Sequence, residues 1–174
     1  MSNPSMYYTH LVHLVAGPIE PHNLQIGLAP YTGETWNAGS LCSQNATFSA
    51  VKGCADTAMP LWAINGTSDL DVAVEGSDYG GGSGIGSGNV NFYVATGGYE
   101  LFTSEYDSAT ANDYVGNQML TPATEDDEGL VTEAAATYSD NLVCGYVSRG
   151  VKSNEYGINV LYFWPVCIPP VNAS

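Results

Sequence analysis

Leu142-Val143-Cys144-Gly145-Tyr146-Val147-Ser148 and Ile158-Asn159-Val160-Leu161-Tyr162-Phe163-Trp164 stand near the end of a 174-residue chain, joined by the polar, glycine-bounded stretch from Gly150 to Gly157. Both runs are built from β-branched and aromatic residues, which fit a pleated, half-buried surface. They read as the two strands of a long antiparallel hairpin. Pro165, Pro169 and Pro170 follow and are expected to stop the second strand, because proline donates nothing to a ladder. Asn91-Phe92-Tyr93-Val94-Ala95 and Tyr99-Glu100-Leu101-Phe102-Thr103 carry the same signature, so each reads as a strand. No ten-residue stretch has a helical period, and Glu133-Ala134-Ala135-Ala136 supports one or two turns at most. The fold class that follows is all-β: a small antiparallel sandwich or barrel, with no internal repeat.

Towards the N-terminus the texture changes. Residues 1 to 40 are punctuated by Pro4, Pro18, Pro21, Pro30, Gly17, Gly27, Gly33 and Gly39, leaving Leu11-Val12-His13-Leu14-Val15 as one short candidate strand. This predicts an extended N-terminal arm over 1–40, which fully stretched would span about 130 Å and reach neighbouring subunits. Folding back over its own core is the competing expectation. Met6, Tyr7, Tyr8, Leu24, Ile26, Leu28, Tyr31 and Trp36 give the arm apolar groups that a solvated tail lacks. The β-rich body then runs from 41 to 174. Within it Asn65-Gly66 favours a hairpin corner, and Asp69-Leu70-Asp71-Val72-Ala73-Val74-Glu75 alternates like a strand with one wet face. Residues 76–88, centred on Gly80-Gly81-Gly82-Ser83-Gly84, read as a flexible loop.

Composition narrows the function. Three basic residues (Lys52, Arg149, Lys152) stand against 18 acidic ones, a net charge of −15. Nucleic acid and anionic membranes are therefore excluded as partners, since both are held by clustered cations. No apolar run has the length of a membrane span and no cationic leader precedes one, so a soluble, unsecreted protein is expected. Cys42, Cys54, Cys144 and Cys167 allow three disulfide pairings or a fully reduced state, the latter favoured without a secretion signal. None of them forms the close-spaced knuckle of a zinc site.

Motifs for chemistry are weak. The glycine tract has no phosphate-loop register, and neither Lys52 nor Lys152 lies beside it. His10, His13 and His22 all fall in the arm, far from any nucleophile elbow. Glu125-Asp126-Asp127-Glu128-Gly129 and the Asp69, Asp71, Glu75 pattern match no calcium loop and read as a solvated turn and a strand's wet face. Asn45, Asn65 and Asn172 head chance glycosylation sequons. We expect no catalytic residues, no metal and no cofactor: the chain is not read as an enzyme. Twelve tyrosines on a sheet-based body suit a contact protein, and the negative charge suits a basic partner face.

Phe92-Tyr93-Val94-Ala95-Thr96-Gly97-Gly98-Tyr99-Glu100, Leu120-Thr121-Pro122-Ala123-Thr124, Gly129-Leu130-Val131-Thr132, Gly145-Tyr146-Val147-Ser148-Arg149-Gly150-Val151 and Val160-Leu161-Tyr162-Phe163-Trp164-Pro165 occur in this order. In order and style the chain resembles capsid decoration (cement) proteins of tailed bacteriophages, those of freshwater cyanophages among them. The likeness covers residues 90 to 170. It implies a structural virion protein on the outer surface of an icosahedral HK97-type capsid, binding the major capsid protein and clamping capsomers as a dimer or trimer. By residue type, Tyr7, Tyr8 and Trp36 are then expected to anchor the arm. Arg149 and Lys152 are expected to contact the capsid or a sister subunit. The alternative is a virion-associated carbohydrate-binding module, lectin-like or fibre-borne, with Trp36, Trp62 and Trp164 as stacking platforms. Trp164 sits in an apolar strand and is expected in the core.

Overall fold

A computed structural model describes residues 12–16, 25–64, 66–67, 90–109, 113–123, 129–134, 141–154 and 157–170. Among them run eleven strands: β1 (Val12–Ala16), β2 (Gln25–Leu28), β3 (Leu41–Gln44), β4 (Ala50–Lys52), β5 (Leu61–Ala63), β6 (Val90–Val94), β7 (Glu100–Thr103), β8 (Met119–Pro122), β9 (Val131–Glu133), β10 (Val143–Ser153) and β11 (Asn159–Ile168). They form a six-stranded sheet in the order β1-β7-β11-β10-β8-β9 and a five-stranded sheet in the order β2-β6-β5-β3-β4. Every ladder between named strands is antiparallel. The all-β sandwich-like fold is the one expected.

Alternation builds two core layers. In the five-stranded sheet Leu41, Trp62 and Tyr93 point one way, into a cluster with Leu101, Leu120, Val131, Cys144, Val147, Leu161 and Phe163 of the other sheet. Trp62 meets Phe163 across that gap, ring centroids 5.0 Å apart. Their neighbours Cys42, Leu61, Ala63, Phe92 and Val94 point to the sheet's other face, where Trp36 covers them. The five-stranded sheet is therefore buried on both sides.

This second layer explains what happens to residues 1–40. The described part is extended, but it is laid along the body: β1 pairs with β7, β2 pairs with β6, and the chain after β2 is fixed by Tyr31 N donating to Ala50 O at 2.8 Å. The segment before residue 40 completes a core layer through Trp36. Residues 1–11, with His10, Tyr7 and Tyr8, lie outside the described residues, as do His22, the strand expected at 69–75, the whole of the 76–88 loop and residues 125–128 of the acidic turn.

One expectation about strand ends changes. The final hairpin is longer than read, with Ser153 paired to Asn159, and β11 runs on through Pro165 to Ile168. The reason is local: past Phe163 the β7 side of β11 has no paired residue, and Pro165 faces Gly145 beside a bulge. Proline is tolerated in such places. Asn65 of the expected Asn65-Gly66 corner lies outside the described residues; β5 pairs with β6, and Thr67 N donates to Trp36 O. Glu133 ends β9, and Ala135 and Ala136 lie outside the described residues.

The four cysteines are free thiols. Burial, then the Glu34 carboxylate, push the Cys42 thiol far above its ordinary 9.0. Burial does the same to Cys144, and raises the phenols of Tyr99 and Tyr114 above their ordinary 10.0. These groups are acids whose folded values exceed the unfolded ones, so their stabilisation is complete below the unfolded values and is lost as pH rises towards the folded ones. We predict a urea midpoint for the reduced protein that is flat to about pH 8.5 and falls steadily above about pH 9. An unchanged midpoint at about pH 11 would contradict this packing.

Candidate functional site

The outward face of the six-stranded sheet gathers the half-buried Phe102, Tyr146 and Tyr162 and the exposed Trp164. Phe163 and Leu161 point into the core, so Tyr162 and Trp164 point out, and Trp164 is 43% exposed. The expectation that Trp164 is core is therefore corrected: strand parity puts it on the opposite face from Phe163. Across the ladder Tyr146 stands directly opposite Trp164, and Met119 opposite Tyr146 on the next strand. On the other side Phe102 stands opposite Tyr162, with ring centroids 5.5 Å apart. The result is an aromatic band across three strands, β7, β11 and β10, extended by Met119 on β8.

A β-bulge sets charge into this band. Val147 pairs with Phe163 and Gly150 with Tyr162, so Ser148 and Arg149 are two extra residues against one step of β11. Gly150 accepts the positive φ of 71° that this demands. A Cβ there would also lie 3.0 Å from the Tyr114 carbonyl oxygen. The extra length carries both side chains over β11 to Glu100 on β7. Ser148 Oγ donates to Glu100 Oε1 at 2.5 Å and Arg149 donates to Oε2 at 2.5 Å. The guanidinium lies 5.4 Å from the centroid of the Tyr162 ring, in cation–π contact. The Glu100 side chain is 5% exposed and that of Arg149 49% exposed, so the carboxylate is roofed by a half-exposed cation.

Removing that roof has a defined cost. In Arg149→Ala the buried carboxylate keeps only Ser148, and we predict a loss of about 1–3 kcal/mol, kept low in the range by the exposure of the guanidinium. Glu100→Gln in the same background should recover part of it. Paired urea titrations check both; an Arg149→Ala midpoint equal to wild type would contradict the assignment.

Of the residues expected to bind, Arg149 belongs to this face, although its charge is already shared with Glu100. Lys152 is exposed further along β10, opposite Val160. Trp36 is corrected: it is 4% exposed and packs on Phe92 at 5.8 Å, so it anchors its segment to its own body. Sequence reasoning missed Glu100, Phe102, Tyr146 and Tyr162. The signal available was parity, since each lies two residues, or one ladder step, from another outward position. Another exposed aromatic, Phe48, is 76% exposed in the β3–β4 turn, where Asn45 Oδ1 accepts from Thr47 N, Thr47 Oγ1 and Ser49 N.

Among the described residues no group of three His, Cys, Asp or Glu side chains is placed to hold a metal ion, and no helix is long and apolar enough to cross a membrane. No family model, curated protein or solved structure matches the chain.

Proposed function

We propose that this chain is a structural virion protein that binds the outer surface of an icosahedral HK97-type capsid and cements neighbouring capsomers. The carrying observation is the aromatic band of Phe102, Tyr162, Trp164 and Tyr146, held on one sheet face around the Glu100–Arg149 pair. Aromatic and arginine side chains give the most contact energy per residue at protein interfaces, and a rigid sheet presents them with little ordering cost. Two of the chain's three cations, Arg149 and Lys152, lie on β10, within a chain whose net charge is −15. That charge draws the protein to basic partner surfaces, and the band supplies short-range attachment. Clamping by a dimer or trimer then multiplies a modest contact through the symmetry of the shell. The resemblance of residues 90 to 170 to phage cement proteins supports the same reading.

Co-sedimentation with intact capsids of the encoding virus tests it. Saturation at a fixed ratio to the major capsid protein, weakening as salt is raised, is the expected result. Absence of binding overturns it.

One observation favours a second reading, a carbohydrate-binding module: Trp164 is a half-exposed indole beside Tyr146, the form of a stacking platform for a sugar ring. Trp36 and Trp62 no longer serve it, being 4% and 0% exposed. Saturable quenching of tryptophan fluorescence by glycans, lost in Trp164→Ala, would favour this reading over the first.

A further inference from the structure

Three of the four thiols meet at one end of the sandwich, although they come from distant parts of the chain. Cys144 is the second residue of β10 and Cys167 the penultimate residue of β11. The pairing of Val143 with Ile168 puts them side by side across the ladder. Cys54 follows β4 and packs against the core cluster that contains Cys144. The connection carrying Cys54 is pinned to the start of β10, where Leu142 N donates to Asp56 Oδ1 at 3.1 Å.

The bulge between Val143 and Gly145 sets the direction of Cys144. It lets Cys144 turn into the core, 0% exposed, where its Sγ donates to Leu120 O at 3.5 Å. Cys167, its ladder neighbour, is exposed and lies two residues past the buried Pro165 and four past Phe163, so strand parity keeps it on the same, inward side of β11, towards Cys54. Cys54 is half-buried, and its Sγ makes only long contacts to Ala55 O and Ala58 O, both 3.7 Å, which cost little to give up.

We propose that Cys54 and Cys167 are a disulfide-forming pair, which on oxidation staples the β4–β5 connection of the five-stranded sheet to the last strand of the six-stranded sheet. Charge supports the placement: after burial, the neighbour that most raises the Cys54 thiol is Cys167, and the neighbour that most raises Cys144 is Cys54. Cys54 therefore sits between the other two. The oxidant required is a small disulfide such as oxidised glutathione. Cys167, the accessible thiol, loses its proton and attacks one glutathione sulfur, releasing one glutathione thiolate that takes up a proton. Cys54 then gives up its proton and attacks Cys167 Sγ, displacing the second glutathione. Two protein thiols lose two electrons and two protons, and the glutathione disulfide gains both. The burial of Cys54 raises its thiol to about 12, which makes the second step slow near neutral pH and faster as pH rises.

The experiment is a redox titration of the full-length protein in glutathione buffers, quenched in acid, alkylated and peptide-mapped by mass spectrometry. One intramolecular link joining Cys54 to Cys167 is expected, preserved in Cys144→Ala and lost in Cys54→Ser and Cys167→Ser. Closing a loop from residue 54 to residue 167 should lower the unfolding constant on the order of a hundredfold or more relative to the reduced chain. A Cys54–Cys144 or Cys144–Cys167 link overturns the proposal, as does a Cys167-linked dimer or a chain that stays fully reduced in excess oxidised glutathione. The wild-type map decides even if a variant fails to fold.

Discussion

Trp62→Ala is expected to lose about 3–5 kcal/mol of stability, a large part of the about 5–15 kcal/mol available to a domain of this kind. Trp62 is the largest of the fully buried side chains, at 0% exposure, and it reaches from β5 to Phe163 on β11. It therefore spans the gap between the sheets, and truncation opens a cavity lined from both sides. Relaxation is limited because β5 is hydrogen-bonded to β6 on one side and β3 on the other. Trp62→Phe should cost much less, about 1–2 kcal/mol, since Nε1 makes no hydrogen bond that would be lost. Urea titrations of the two variants check the order. A Trp62→Ala midpoint within error of wild type would mean that the sheets do not pack as described.

The opposite behaviour is predicted at Trp164. Its ring is 43% exposed, so Trp164→Ala should change stability by less than about 1 kcal/mol. If the outward face is the docking surface, the same substitution removes its most exposed anchor, and a central aromatic anchor is typically worth about 2 kcal/mol or more, a loss of about thirtyfold in affinity. Tyr146→Ala, opposite it on β10, should weaken binding in the same direction. Circular dichroism and urea titration establish that the fold is retained, and capsid co-sedimentation reads the affinity. A variant that folds normally and binds shells as tightly as wild type would remove Trp164 from the interface.

The contrast between these tryptophans shows what a sequence conceals. β6, β7, β10 and β11 were legible because they are four residues or longer and rich in β-branched and aromatic side chains. β3, β4, β8 and β9 are three or four residues long and mix in Ser43, Gln44, Lys52, Thr121 and Glu133, so no periodicity accumulates. Trp164 was misread for a different reason. In Leu161-Tyr162-Phe163-Trp164 the outward residues are as apolar as the inward ones, and an aromatic outward face erases the alternation that marks an ordinary half-buried strand. Trp36 was misread as an arm anchor because the second core layer exists only once β6, β5 and β3 have paired and presented Phe92, Leu61 and Cys42 to it. The bulge that swings Ser148 and Arg149 over to Glu100 depends on ladder register, which residue types alone do not specify.

In the proposed function the outward face of the six-stranded sheet meets the capsid. Hydroxyl-radical footprinting of free and shell-bound protein tests it most directly, because tryptophan, tyrosine and phenylalanine are all oxidised readily when exposed. Strong protection of Trp164, with weaker protection of Tyr146, Tyr162 and Phe102, is the predicted result on decorated shells. Oxidation of Trp164 at the same rate on the shell as in solution, with protection concentrated elsewhere, would contradict it.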